Sequence, residues 1–127
     1  KMIEVADEND ILAFYQQKYS QRKKRIWAFY NSEFNKVILD EKYMLLPVDD
    51  RLATRGHGTF DVVYVKHKSI INLDAHIDRL YASSQTVEIT PPVEKERAKQ
   101  IIVEVMQAVF KQFLKLYGSQ AEEQLEN

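Results

Sequence analysis

The chain has 127 residues, 45% of them hydrophobic, with 18 lysines and arginines against 19 aspartates and glutamates. That is one domain's length with enough apolar content for a core, and the near-zero net charge argues against a general electrostatic hold on nucleic acid. Zero cysteines exclude disulfides and thiolate metal sites, and the longest apolar runs, such as "IWAFY" at 26–30, are far too short for a membrane span or a signal sequence.

Ile11, Leu12, Tyr15 and Tyr19 recur at helical spacing, so residues 8 to 20 are expected to form a helix. The basic block "QRKKR" at 21–25 follows, where cations suit the negative end of a helix dipole. Read otherwise, it is a targeting signal or a hold on an anionic partner. From Ile26 the pattern shortens. "IWAFY", "KVIL" (36–39) and "KYMLLPV" (42–48) are rich in aromatic and branched residues and separated by turn-like stretches, which predicts strands or hairpin pieces. "TFDVVYVKH" (59–67) and "SIINL" (69–73) predict a hairpin closed near Lys68, unusual in lacking Gly or Asn at its turn. Asn72 is placed to cap a helix over about 73 to 86, with Leu73, Ile77, Leu80, Tyr81 and Ser84 on one face.

Thr90 with Pro91 and Pro92 reads as the start of the last helix. Its period runs through Ala98, Ile101, Ile102, Val105, Val109, Phe113 and Leu116 to Gly118 as C-cap. The tail "SQAEEQLEN" is polar and acidic and is expected to fray. A helix, a run of strands and two more helices predict an α+β fold. Its parts are an antiparallel sheet with two helices packed on it and an N-terminal helical extension over residues 1–25.

Two stretches concentrate unusual residues. In "DDRLATRGHGTFD" (49–61), Gly56 and Gly58 flank His57 just before a strand. Glycines there permit positive φ or close backbone approach, and taken alone they describe a loop entering a strand. They do not open a helix, so the dinucleotide and phosphate-loop fingerprints do not apply. In "DAHIDRLYASS" (74–84), Ile77, Leu80 and Ser84 continue the apolar stripe from Leu73, His76 falls at its edge and Arg79 beyond it. Periodicity by itself makes His76 a half-buried, hydrogen-bonded histidine and Arg79 a solvated cation. The functional alternative is a guanidinium fork held out to a phosphate, a geometry that suits arginine better than lysine. His57, His67 and His76 lack zinc-site spacing, so no metal is expected, and no Ser-His-Asp arrangement can be identified.

Taken together and in order after Asp50-Arg51, three further pieces resemble the small domain of class IV aminotransferases. They are Arg55-Gly56-His57-Gly58-Thr59-Phe60-Asp61, the run from His76-Ile77-Asp78-Arg79-Leu80 to Ser84, and the proline pair. These pyridoxal-phosphate enzymes include D-amino acid aminotransferases, branched-chain aminotransferases and aminodeoxychorismate lyases. The family pattern is G-x-G-x-[FY]-[ED], a short hairpin, then H-[IL]-x-R-L-x-x-S-A. Motif-grade similarity covers residues 49 to 92 and weaker similarity extends from 27 to 117. "HIDRLYAS" is most similar to the D-amino acid branch.

The resemblance implies that residues 26–127 are that small domain without its large domain. It implies that Arg79 binds the cofactor phosphate and that Phe60 lines the substrate side of the pocket. Arg55 and His57, beside Gly58, would reach toward substrate carboxylates. D-amino acid enzymes usually carry tyrosine at the Phe60 position and branched-chain enzymes phenylalanine, so both substrate types stay open, as does a lyase outcome. No catalytic residue is expected in this chain. The family's Schiff-base lysine and the carboxylate partner of the pyridine nitrogen lie in the larger domain, and Lys66, Lys68, Lys95 and Lys99 do not stand in that lysine's place. The chain alone is therefore expected to be inactive.

Amino acid and 2-oxo acid substrates and a homodimer are implied. Residues 1 to 25 and a longer last helix depart from the family. The alternative is a non-catalytic dimerisation or partner-binding module reusing this half-fold, and a third reading is an anion-binding regulatory domain built on "QRKKR". No nucleic-acid or membrane partner is expected, and the expected location is the cytoplasm, with an organelle left open.

Overall fold

The Asp7 carboxylate accepts from the Asp10 backbone N–H at 2.8 Å, while the Asp10 carboxylate accepts from the Asp7 N–H at 3.0 Å. This capping box starts the expected first helix, α1 (Glu8–Ser20), in a computed structural model that describes residues 1–126. Tyr15 and Tyr19 stack at 6.4 Å and are half-buried, whereas Ile11 and Leu12 of the same pattern are exposed.

The basic block that follows is more than a solvated helix end. Glu41, only 6% exposed, accepts from the backbone N–H groups of Arg25 and Ile26 and from Arg22 Nη2 at 3.1 Å. Lys24 Nζ donates to the Leu39 carbonyl at 2.7 Å. A buried carboxylate needs such donors, and the block supplies them.

β1 (Phe29–Asn31) pairs antiparallel with β2 (Lys36–Ile38), Phe29 opposite Ile38. The stretch 42–48, expected as a third strand, is a 3-10 turn at Glu41–Tyr43 followed by irregular chain. Asp40 starts that turn by accepting from the Lys42 N–H at 3.2 Å, and Pro47 has no donor for a ladder. β3 (Val65–Lys66) and β4 (Ser69–Ile70) form the expected hairpin. His67 and Lys68 take positive φ of 49° and 62°, the type I′ geometry that Asn and Gly adopt more readily. Partners hold this unfavourable turn. Lys68 pairs with Glu122 at 2.5 Å and lies over the Phe110 ring at 4.8 Å, and the His67 N–H donates to Glu126. The sheet expected as one piece is thus two separate two-stranded ribbons within an α+β chain.

α3 (Leu73–Thr86) begins after Asn72, which has the predicted N-cap position but a φ of 53° and no capping side-chain bond. α4 (Lys95–Tyr117) has its N-cap position at Glu94 rather than Thr90, with no capping side-chain bond. Consecutive prolines hold the preceding residue extended, so the helix starts only beyond them. Ile77 of α3 with Ile101 and Phe113 of α4 are buried, and Trp27 packs 4.4 Å from the Phe113 ring. Gln112 Nε2 donates to the Trp27 carbonyl at 2.7 Å and fixes that contact. On the outer side Lys99 joins Asp74 at 2.7 Å and Glu96 at 2.9 Å, which together hold its pKa above the usual lysine range.

Leu116, placed in the buried period, is exposed. Gly118 ends α4 with φ 56° as predicted. The tail does not fray there: a 3-10 turn leads into α5 (Ala121–Glu126), pinned by Ala121 at 2% exposure. Asn127 lies outside the described residues.

Candidate functional site

The glycine-containing stretch has a local reason for each glycine. Asp50 accepts from the Leu52 N–H at 2.8 Å and starts α2 (Arg51–Arg55), a helix in what the sequence presents as loop. Gly56 ends it at φ 61°, a left-handed conformation that favours glycine. At Gly58 a Cβ would lie 2.7 Å from Leu52 Cδ1.

From His57 onward the chain alternates like a strand, although among the described residues the assigned ladder covers Val65–Lys66, with one further bond from the Ile71 N–H to the Tyr64 carbonyl. His57, Thr59, Asp61 and Val63 are half-buried, whereas Phe60, Val62 and Tyr64 are exposed. The inward residues fasten to α3 and the turn after it. His57 Nε2 donates to the Val87 carbonyl at 2.7 Å. Thr59 Oγ1 lies 3.2 Å from Ser84 Oγ, whose own proton goes to the Leu80 carbonyl at 2.9 Å, so Thr59 is the donor. Asp61 then meets His76 and Arg79. As the chain runs from 57 to 61 its partners fall from 87 to 76, so the segment lies antiparallel along the helix.

Among the described residues Asp61 is the carboxylate that accepts the most side-chain hydrogen bonds. Its carboxylate, 8% exposed, accepts from Arg79 Nε and Nη2, both at 2.7 Å, in a bidentate fork. His76 Nδ1 lies 2.7 Å from the same carboxylate. A carboxylate can only accept, so Nδ1 carries the proton, and its 3.2 Å approach to Arg79 Nη2 is a contact between two donors. The hydrogen bonds from Arg79 first, then His76, hold the Asp61 pKa far below the usual carboxylate range, against the opposing effect of burial. The same carboxylate raises the Arg79 pKa.

Arg79 is 65% exposed and its Nη1 makes no hydrogen bond among the described residues. The Nε–Nη2 side of the fork is therefore occupied and the Nη1–Nη2 end is open. That open edge can take two oxygens of an oxyanion such as a phosphate or a carboxylate, either of which a guanidinium fork matches. Among the described residues no cluster of His, Asp and Glu could hold a metal ion.

The structure brings Arg79 and His76 together through Asp61, and leaves the other predicted residues apart from them. His57 is engaged by the backbone of Val87, and Arg55 is the exposed last residue of α2. Phe60, 86% exposed, is on the opposite side of its segment from Asp61. Asp61 is the residue to which sequence reasoning gave no role. Its signal was present: two-residue alternation puts it on the same face as His57 and Thr59, and an inward carboxylate requires cationic or N–H partners.

The model of the family described as "Amino-transferase class IV" matches residues 58–124, from Gly58 through Asp61 and Arg79 into α5, and the chain belongs to that family. It is 30% identical over 89 residues to the chloroplastic D-amino-acid transaminase of Arabidopsis thaliana, covering 70% of this chain and 24% of that protein. It is 26% identical over 68 residues to a D-alanine aminotransferase of Listeria monocytogenes serotype 1/2a, covering 54% of this chain and 24% of that protein. The chain thus spans about a quarter of the length of the curated relatives it matches. No solved structure gives a significant match.

Proposed function

We propose that this chain forms the cofactor-phosphate side of a pyridoxal-phosphate-dependent aminotransferase that moves an amino group between amino acids and 2-oxo acids. One observation carries the reading: within the family-matched segment, Arg79 is clamped on one edge and open on the other. The names of both relatives support D-amino acids as donors. Phe60, where D-amino acid enzymes usually carry tyrosine, supports a branched-chain donor as the second reading.

The bound cofactor supplies an electron-withdrawing ring that makes the substrate α-proton labile. In this reading Arg79 anchors the phosphate end, which fixes the ring's distance from the reacting carbon. Phe60 forms an apolar wall on the substrate side, and Arg55 and His57 stand near the substrate carboxylates. Residues 26–127 act as the small domain, residues 1–25 as an extension, and the lysine that bonds the cofactor is supplied from outside this chain. The same reading includes a homodimer in the cytoplasm or an organelle.

The test is Arg79→Ala in the full polypeptide as made in the cell, titrated with pyridoxal phosphate. Loss of a charge-assisted fork should raise the dissociation constant about 100-fold. An unchanged constant removes the assignment of Arg79. Turnover with D-alanine against L-leucine as amino donor then separates the two substrate readings.

A further inference from the structure

Arg79 can offer an anion either edge of its guanidinium, and an unrestrained arginine samples both. Here the choice is made in advance. Asp61 takes the Nε–Nη2 edge with two 2.7 Å bonds, and His76, one turn earlier on α3, holds the same carboxylate at 2.7 Å. The Val62 backbone N–H donates to Asp61 Oδ1 at 2.8 Å as well, so the carboxylate is fixed from three directions. Asp61 and His76 are far less exposed than Arg79, at 8% and 24% against 65%. The restrained groups are therefore behind the arginine, and the open edge is in front.

We propose that Asp61, backed by His76, is the positioning residue of the phosphate site, fixing Arg79 so that only its Nη1–Nη2 edge meets a dianionic phosphate monoester. This rests on the reading of Arg79 given above and adds to it the groups that orient the fork. Two effects of Asp61 oppose each other. Its negative charge offsets that of Arg79 and repels a phosphate, but at a largely exposed arginine such charge effects are screened by water and salt. Its clamp removes the rotamer freedom that an exposed arginine would otherwise lose on binding. The clamp outweighs the repulsion, so losing Asp61 weakens binding.

The experiment uses the full polypeptide as wild type, Asp61→Asn, Asp61→Glu and Arg79→Ala. Each is titrated with pyridoxal phosphate and with pyridoxal, which lacks the phosphate, and solvent exchange of the Arg79 Nε–H is followed by nitrogen-15 NMR. Asp61→Asn keeps the shape of the side chain but loses one acceptor of the fork. It should weaken pyridoxal phosphate about tenfold, on the order of the loss when the partner that orients a metal ligand is removed. Pyridoxal affinity should stay the same, the Nε–H should exchange faster, and Asp61→Glu should restore part of both. Unchanged or tighter phosphate binding in Asp61→Asn, with Arg79→Ala still weak, overturns the positioning role and leaves Arg79's role standing. Equal weakening of pyridoxal and pyridoxal phosphate in Asp61→Asn means a general structural loss and also overturns it. No effect of Arg79→Ala removes the reading of Arg79, and the role of Asp61 falls with it.

Discussion

At Asp61 one carboxylate accepts from two side chains a single turn apart on α3, and these bonds keep it ionised well below the ordinary carboxylate pKa. A pKa depressed on folding contributes stability above its unfolded value, near 4, and loses it as the pH falls through the folded value. Wild type should therefore melt at a higher temperature than Asp61→Asn at neutral pH, and the gap should narrow progressively as the pH is lowered from 4 to 2. Thermal denaturation by circular dichroism across that range checks it, and a gap independent of pH would exclude the carboxylate as its source. Arg79 was legible from the spacing of the two motifs. Its partner was not, because a helical wheel and a strand pattern each describe one element and the fork joins two.

The short elements owe their ends to single side chains. Gly56 terminates α2 at φ 61° in open space, so Gly56→Ala meets no clash but adopts a conformation L-residues disfavour. A loss of about 1 kcal/mol, or ~4 °C in melting temperature, is expected. Glu41 is a stronger case, because its carboxylate satisfies two backbone N–H groups and Arg22. Glu41→Ala leaves those donors without their acceptor and should cost about 2 kcal/mol, more than a surface ion pair. A lower urea midpoint at unchanged slope is the corresponding measurement. The helices α1, α3 and α4 and the 65–70 hairpin were readable because their periods and turn positions are local, whereas the short α2 and α5 have no period long enough to read. The 42–48 stretch was misread because its strand-like composition competes with Asp40, which captures a nearby N–H first.

Over the whole molecule the apolar core is thin. Ile77, Ile101, Phe113 and Ala121 are its buried hydrophobic residues among those described, and Phe113 joins Trp27 to Tyr117. Phe113→Ala should cost about 3–4 kcal/mol, a large part of the margin of an ordinary domain, and should be visible as near-complete loss of cooperative melting. The outward row Phe60, Val62 and Tyr64 forms an apolar strip along a segment whose hairpin bonding starts at the Tyr64 carbonyl, which accepts from the Ile71 N–H at 2.9 Å.

The sequence by itself determined the α+β class, the presence of α1, α3 and α4, the 65–70 hairpin and the family, because periodicity and motif spacing depend on order along the chain. The tertiary structure alone decided that the strands form two separate ribbons, that the acidic tail folds onto Ala121, and that Glu41 holds the basic block. It also decided that Arg79 is paired on one edge rather than fully solvated. Its free edge is defined by Asp61, 18 residues earlier, and only packing of that segment along α3 brings the two within 2.7 Å. Contacts of that kind depend on which faces meet in space, and sequence order does not specify that.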